Sequence, residues 1–315
     1  VKAARVAVGP DGNFYVHILP QHVVQVFKPN GDVVRTIGKP GGQRPGPWDP
    51  EKFAAISALV VDGRGGLWVI ENQDKPRRIV QYAPDGKLVA EHLGNTNYGG
   101  GGILDRFDKS RLFFGRVQFE IDWATGKSRV KNLLAEHLPD DLVPVRFRDR
   151  TYLASAPLSH NPTMSAAYIY LLDEATGTAR PVAAFGEAEN VDLLNVTAVL
   201  AKLAPGKVPA DYTFLWTDRD GDGKASPDEV TWELKPAGTA RTNLGRFNEA
   251  FRLRAGPWVY EPTDVLPNGA PVFVKKAAAA PGIYELTDGR VLAMNERDKS
   301  AREGAPSHTS VRTPD

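Results

Sequence analysis

Short strand-like segments separated by glycine-containing turns recur along this chain, and that recurrence restricts the fold more than any other feature. Val6-Ala7-Val8-Gly9-Pro10-Asp11-Gly12-Asn13-Phe14-Tyr15-Val16 lines up with Leu59-Val60-Val61-Asp62-Gly63-Arg64-Gly65-Gly66-Leu67-Trp68-Val69. Each is an apolar run, a turn and an aromatic strand. Downstream, Val26-Phe27-Lys28-Pro29-Asn30-Gly31-Asp32-Val33-Val34 matches Gln81-Tyr82-Ala83-Pro84-Asp85-Gly86-Lys87-Leu88-Val89. The Asn-Gly and Asp-Gly pairs predict type I′ hairpin turns between alternating strands. Residues 122–129 resemble residues 173–180, and Tyr284 to Val291 supplies another turn of this kind. The turn glycines Gly31, Gly86, Gly126, Gly177 and Gly289 stand roughly 40–55 residues apart, except for a last interval about twice as long. That interval fits two units, with an acidic loop near residue 220 inside the skipped one.

Repeats of this length with several short strands each have the size of propeller blades. The predicted fold is therefore an all-β β-propeller of about six blade-like units over residues 1–295. An irregular β-sandwich also spaces strands closely, but it does not recur at blade scale. Residues 296–315 are polar, lack strand alternation and read as a tail or the start of a missing continuation. Short helical inserts are expected at 192–203, where apolar residues fall at helical spacing before Pro205-Gly206, and at 51–55. The stretch from Ile37-Gly38-Lys39-Pro40-Gly41-Gly42 to Asp49-Pro50, then Ile56 to Asp62, resembles the inter-blade connection of NHL-repeat propellers. The resemblance is good over about the first hundred residues. Residues 216–223 and 99–105 resemble large secreted bacterial proteins that carry such propellers. It implies a chain that runs on into further blades.

The acidic loop is Asp218-Arg219-Asp220-Gly221-Asp222-Gly223-Lys224-Ala225-Ser226-Pro227-Asp228-Glu229. It matches the EF-hand calcium loop: Asp at positions 1, 3 and 5, Gly at 6, Ser at 9 and Glu at 12. Calcium takes about six to eight oxygens, so the backbone must wrap around the ion. Gly223 permits that turn, because it lacks a Cβ. The expected ligands are Asp218, Asp220, Asp222, the backbone carbonyl of Lys224, Ser226 through a water, and Glu229. The flanks, Tyr212 to Thr217 and Val230 to Leu234, are strand-like rather than helical. Ca2+ is thus expected to staple a hairpin connection instead of driving a sensor's helix opening.

Lys and Arg number 39 against 38 Asp and Glu. The formal charge of +1 supplies no field for nucleic acid or an anionic membrane. No apolar run approaches the roughly 18–20 residues of a membrane span. With no cysteine, thiolate metal sites, Cys nucleophiles and disulfides are excluded. The calcium loop favours a secreted or periplasmic location, where millimolar calcium fills even a modest site. The sequence shows no signal peptide and starts at Val1 rather than Met, which reads as a mature or trimmed product.

Catalytic chemistry is less legible. The histidines are His17, His22, His92, His137, His160 and His308, with no paired ligand spacing. The NHL resemblance includes a peptidyl-hydroxyglycine lyase that binds zinc through histidines near its channel, which makes His17 and His160 candidates. Calcium-dependent lactonase propellers make Glu71-Asn72 and Asn295-Glu296 candidate ligands. Packing or surface roles are the commoner fate of such residues. Gly99 to Gly102 lacks the strand–turn–helix context of a phosphate cradle. Asp140-Asp141 read as solvated. The six tryptophans offer either wedges between blades or a sugar-stacking surface. The reading is a calcium-stabilised binding or scaffold module for a protein or carbohydrate, with another chain or segment completing the propeller as a further option. The alternative is a secreted hydrolase or lyase using a metal or carboxylates in the channel.

Overall fold

A computed structural model describes residues 3–72, 75–96, 102–139, 141–156, 166–239, 242, 244–278, 284–286, 288–294 and 309–312. Among these, strands assemble into six sheets, each built from consecutive strands. The first comprises Ala3–Val8, Phe14–Ile18, Val23–Phe27 and Val33–Ile37, and the second Ile56–Val61, Leu67–Glu71, Arg78–Tyr82 and Leu88–Leu93. The third runs from Ile103–Leu104 through Arg111–Phe114 and Val117–Asp122 to Lys127–Leu133, with Gly46–Pro47 added at its edge. The fourth has six strands, Val143–Phe147, Arg150–Ser155, Ala166–Asp173, Thr178–Glu187, Tyr212–Thr217 and Val230–Leu234. The fifth is Leu244–Phe247, Leu253–Ala255, Trp258–Val265 and Pro271–Ala277; the sixth is Tyr284–Glu285, Val291–Met294 and Thr309–Arg312. Up-and-down sheets of this kind are the blades of the all-β propeller class, and that is the class of this chain.

The Asn30-Gly31 and Asp85-Gly86 hairpins do not use type I′ turns, whereas the Phe147 to Arg150 hairpin, with φ of 45° at Arg148 and 59° at Asp149, does. In the Lys28 to Asp32 turn, the Gly31 N–H donates to the Lys28 carbonyl at 2.9 Å and the Lys28 N–H to the Asp32 carbonyl at 2.8 Å. Only Gly31 takes positive φ, at 92°, whereas type I′ needs two such residues. Gly86 repeats the pattern. Pro29 and Pro84 are the cause. Their rings fix φ near −65°, which suits the first central position of a type I turn and forbids type I′. The glycine then serves as the left-handed bulge residue.

The acidic loop does not lie in a skipped unit. It joins the last two strands of the fourth sheet, whose third and fourth strands are joined by the turn that carries Gly177. The unit without a recognised turn is the fifth sheet, which turns at Leu266-Pro267-Asn268-Gly269 with the Gly269 N–H on the Leu266 carbonyl at 2.8 Å. Two extra strands in the fourth sheet explain the long interval.

Residues 192–203 form a 3-10 turn, Asp192–Leu194, and a four-residue helix, Thr197–Leu200, instead of one helix. Val191, Val196 and Thr197 are β-branched, and Asn195 prefers local backbone bonding, so helix propagation is weak. Residues 51–55 make no helical turn. The stretch read as lacking strands contributes Thr309–Arg312, which pairs with Val291–Met294; four residues are too few for alternation to register.

The chain divides into two compact units, Val1–Asp140 with Glu174–Thr178, and Asp141–Asp173 with Ala179–Asp315. In the first, Tyr15, Val24, Val26 and Ile37 pack with Phe53, Leu67, Val69, Val80 and Tyr82. In the second, Phe185 stacks on Tyr260 at 4.3 Å and meets Phe247 and Phe273. Burying each such side chain contributes about 1.5–3 kcal/mol.

Candidate functional site

The calcium-type loop begins where the strand Tyr212–Thr217 ends and closes where Val230–Leu234 begins, with Trp216 opposite Val230. Alternation puts Tyr212, Phe214 and Trp216 on the buried face, and the same parity buries Asp218 completely. Gly221 and Gly223 take φ of 87° and 71°, and their N–H groups donate to Asp218 Oδ1 at 3.0 and 3.2 Å. Asp220 Oδ1 accepts the Asp222 N–H at 3.1 Å, and Asp222 Oδ1 the Lys224 N–H at 2.7 Å. The loop therefore curls inward. One carboxylate oxygen from each of Asp218, Asp220 and Asp222 lies within 4.8 Å of the other two.

Glu229 is not part of that trio. Its Oε1 accepts the Arg219 N–H at 2.6 Å and the Asp220 N–H at 3.3 Å. Its Oε2 accepts the Ser226 N–H at 3.1 Å and Trp216 Nε1–H at 3.4 Å. Ser226 Oγ donates to Asp228 at 3.2 Å. Lys224 is exposed, with its side chain free of the loop's interior. Three convergent carboxylates are a hard, anionic donor set that fits calcium. The remaining oxygens would come from the Lys224 carbonyl, Ser226, Glu229 and water. Calcium there would supply a structural cross-link and neutralise the trio.

Two residues at this loop were not anticipated from sequence. The Arg180 guanidinium pairs with Asp218 Oδ2 and also donates to the Asn268 carbonyl at 2.6 Å. Asn268 Nδ2 donates to the Asp218 carbonyl at 2.8 Å. The signal for Arg180 exists only once pairing is known: the Asp218 N–H donates to the Val182 carbonyl at 3.0 Å, which brings that strand alongside the loop.

The other candidates are dispersed. Among the described residues, the Asp218 trio is the only group of three or more His, Asp or Glu side chains placed to hold a metal. His17 is buried with its ring centroid 6.4 Å from that of His22. His92 stacks on Trp68 at 6.2 Å, and His137 is exposed. Glu71 is committed to structure. It sits opposite Arg78 in the second sheet, pairs with its guanidinium and accepts the N–H groups of Ala54 and Ala55. Arg78, wholly buried, also reaches Glu91 and the carbonyls of Pro50 and Lys52. These bonds fasten the 48–55 connection to the sheet. Burial pushes the Glu71 carboxyl up, against the pull of Arg78 and the two amides. Asp141 accepts Ser155 Oγ at 2.6 Å. Trp216 is buried, Trp48 lies under Arg78, and Trp123 is exposed. His160, His308, Asn295-Glu296, Gly99 to Gly101 and Asp140 lie outside the described residues.

No family model and no curated protein matches the chain. Solved structures with some likeness include virginiamycin B lyase from Staphylococcus aureus, 12% identical over 88% of this chain and 85% of that one, with a TM-score of 0.22. A streptogramin B lyase is 11% identical over 92% and 89%, with a TM-score of 0.25. A protein from Lactobacillus plantarum is 11% identical over 94% and 78%, with a TM-score of 0.29. What the chain's own sheets and loop define is an all-β blade protein with an acidic, calcium-type hairpin connection.

Proposed function

We propose that this chain is an exported, calcium-stabilised propeller module whose work is binding rather than catalysis, with a protein or a carbohydrate as partner. The observation that carries the reading is the convergence of Asp218, Asp220 and Asp222 within 4.8 Å between two paired strands. Three carboxylates so close repel one another, and Arg180 offsets the charge of Asp218 alone, which leaves net negative charge for a cation to neutralise. A site whose second and third carboxylates are exposed suits surroundings where calcium is millimolar. An ion in a connection between strands rigidifies a surface without performing a reaction on it.

The test is the metal content of protein purified in millimolar calcium and then desalted. One calcium per chain and no other stoichiometric metal supports the reading. A stoichiometric zinc or a second calcium favours a hydrolase or lyase. No retained calcium, together with no heat on calorimetric titration, removes the ion from the account.

A further inference from the structure

We propose that a cleft in the first compact unit, bordered by His17 and His22, binds a small hydroxylated carboxylate of the sugar-acid type. The cleft encloses about 400 Å³, within the range of small-molecule sites. Leu19, Ala54 and Ala55 give it an apolar side, and its polar border is His17, His22, Gln43, Arg44, Lys75 and Glu136.

Four buried nitrogens on that border meet no protein partner: both ring nitrogens of His17, Nδ1 of His22 and Nε2 of Gln43. His17 is 2% exposed and Gln43 6%. A buried polar group left unpaired costs about 1–3 kcal/mol, so four around one opening mark a place built to receive hydrogen-bonding atoms. The backbone is shaped for it as well. His22 holds a left-handed φ of 53°, a conformation that costs about 1–2 kcal/mol. A Cβ on Gly42 would stand 3.1 Å from the His22 ring, so glycine leaves that ring its room.

The border specifies the ligand's chemistry. Burial, His22 and Arg5 hold the His17 imidazole below the usual histidine range, so its ring is neutral near pH 7. A neutral ring offers one N–H and one bare nitrogen. The ligand must therefore both accept and donate there, as a hydroxyl does. Lys75 is paired with Glu136, and the exposed Arg44 leaves the border with one net positive charge. One positive charge calls for a monoanion. A carboxylate would meet Arg44 and Gln43, and an adjacent hydroxyl would meet His17.

The test follows the histidine ring resonances of the protein, in constant calcium, during titration with D-gluconate and D-glucuronate; acetate and D-glucose are the controls. The site predicts saturable shifts of the His17 signals with both sugar acids, and affinity at least about tenfold weaker for glucose, which lacks the charge, and for acetate, which lacks the hydroxyls. Arg44→Ala, an exposed change that leaves the core intact, should weaken gluconate binding about tenfold, and His17→Phe should abolish it. Unmoved His17 signals with both acids would mean that water alone meets the four nitrogens, and would overturn the proposal. Glucose binding as tightly as gluconate, or Arg44→Ala leaving affinity unchanged, would overturn it too. The cleft shares no residue with the 218–229 loop, so the result is independent of the calcium reading.

Discussion

Glu229 Oε1 accepts the backbone N–H of Arg219 at 2.6 Å, which fastens the last position of the acidic loop to its second. Glu229 Oε2 meanwhile meets Trp216 Nε1–H at 3.4 Å. The closing carboxylate thus ties the loop both to itself and to the hydrophobic floor of the fourth sheet. The loop is held in its curl by protein bonds, and an ion would have only the repulsion among the three aspartates to relieve.

Arg180 bears on that repulsion directly. It supplies the positive charge beside the buried Asp218 carboxylate, and its side chain is 36% exposed, so solvent screens part of the attraction. Removing it should cost about 1–2 kcal/mol in chelator. In millimolar calcium the ion replaces the lost charge. Arg180→Ala should therefore show a larger calcium-induced rise in Tm than the parent. An equal rise in both proteins would show that Arg180 and the ion do not share the Asp218 carboxylate.

Gly38 fixes the connection between the first two sheets. Its φ is 87°, and a Cβ there would stand 2.3 Å from the Phe53 ring. Gly31 has a similar φ, of 92°, but a Cβ there meets nothing within 4 Å. Gly31→Ala should cost about 1–2 kcal/mol from the left-handed backbone alone. Gly38→Ala adds overpacking of about 1–3 kcal/mol. Urea denaturation of the two variants isolates the clash, and equal losses would contradict it.

Glu71 and Arg78 form a buried pair at 1% and 0% side-chain exposure. Glu71→Ala leaves the guanidinium without its carboxylate and should cost about 3–5 kcal/mol. Glu71→Gln keeps an oxygen for the Ala54 N–H and should cost less. A loss under about 1 kcal/mol for Glu71→Ala in chemical denaturation would refute the structural role.

The depressed His17 sets a pH dependence. Its unfolded form takes up a proton near pH 6.5, whereas the folded form resists until lower pH. Stability is complete above about 6.5 and falls as pH drops from there to the folded value, by at most about 1.4 kcal/mol per pH unit. Glu136, held low mainly by its hydrogen bond from Lys75, acts in a separate window. Its contribution is present above the usual carboxylate range and is lost as pH falls below it. Urea midpoints measured between pH 7 and pH 5 should decline in the parent and stay flatter in His17→Phe. Parallel declines would assign the effect to other groups.

Much of the architecture is legible in the sequence because strands and turns are written locally. Tyr15, Val24 and Val26 alternate into the core, and a Gly follows Asp11, Asn30 and Asp85, each of which accepts a local N–H. The turn type was misread because the Asn-Gly pair was weighed without Pro29 ahead of it. The fifth sheet's marker is legible as well, since Leu266-Pro267-Asn268-Gly269 repeats the Pro-Asn-Gly turn of Lys28 to Gly31; the acidic loop drew the long interval's second unit to itself instead. The acidic loop is readable because its side chains act at fixed spacing along one segment. Arg180, Asn268 and the His17 cleft are not, since each depends on which strands lie side by side. Even Glu71 and Arg78, direct cross-strand partners, declare themselves only once the hairpin register is known.

Thermal unfolding of the metal-stripped protein against calcium concentration, in parallel with Asp220→Asn/Asp222→Asn, tests the stapled loop most directly. The parent's Tm should rise steadily with calcium, reaching about 2.7 kcal/mol of added stability at a hundredfold excess over the dissociation constant. The double variant should stay near its chelator value. A parent whose melting curve is the same in chelator and in millimolar calcium would contradict the account.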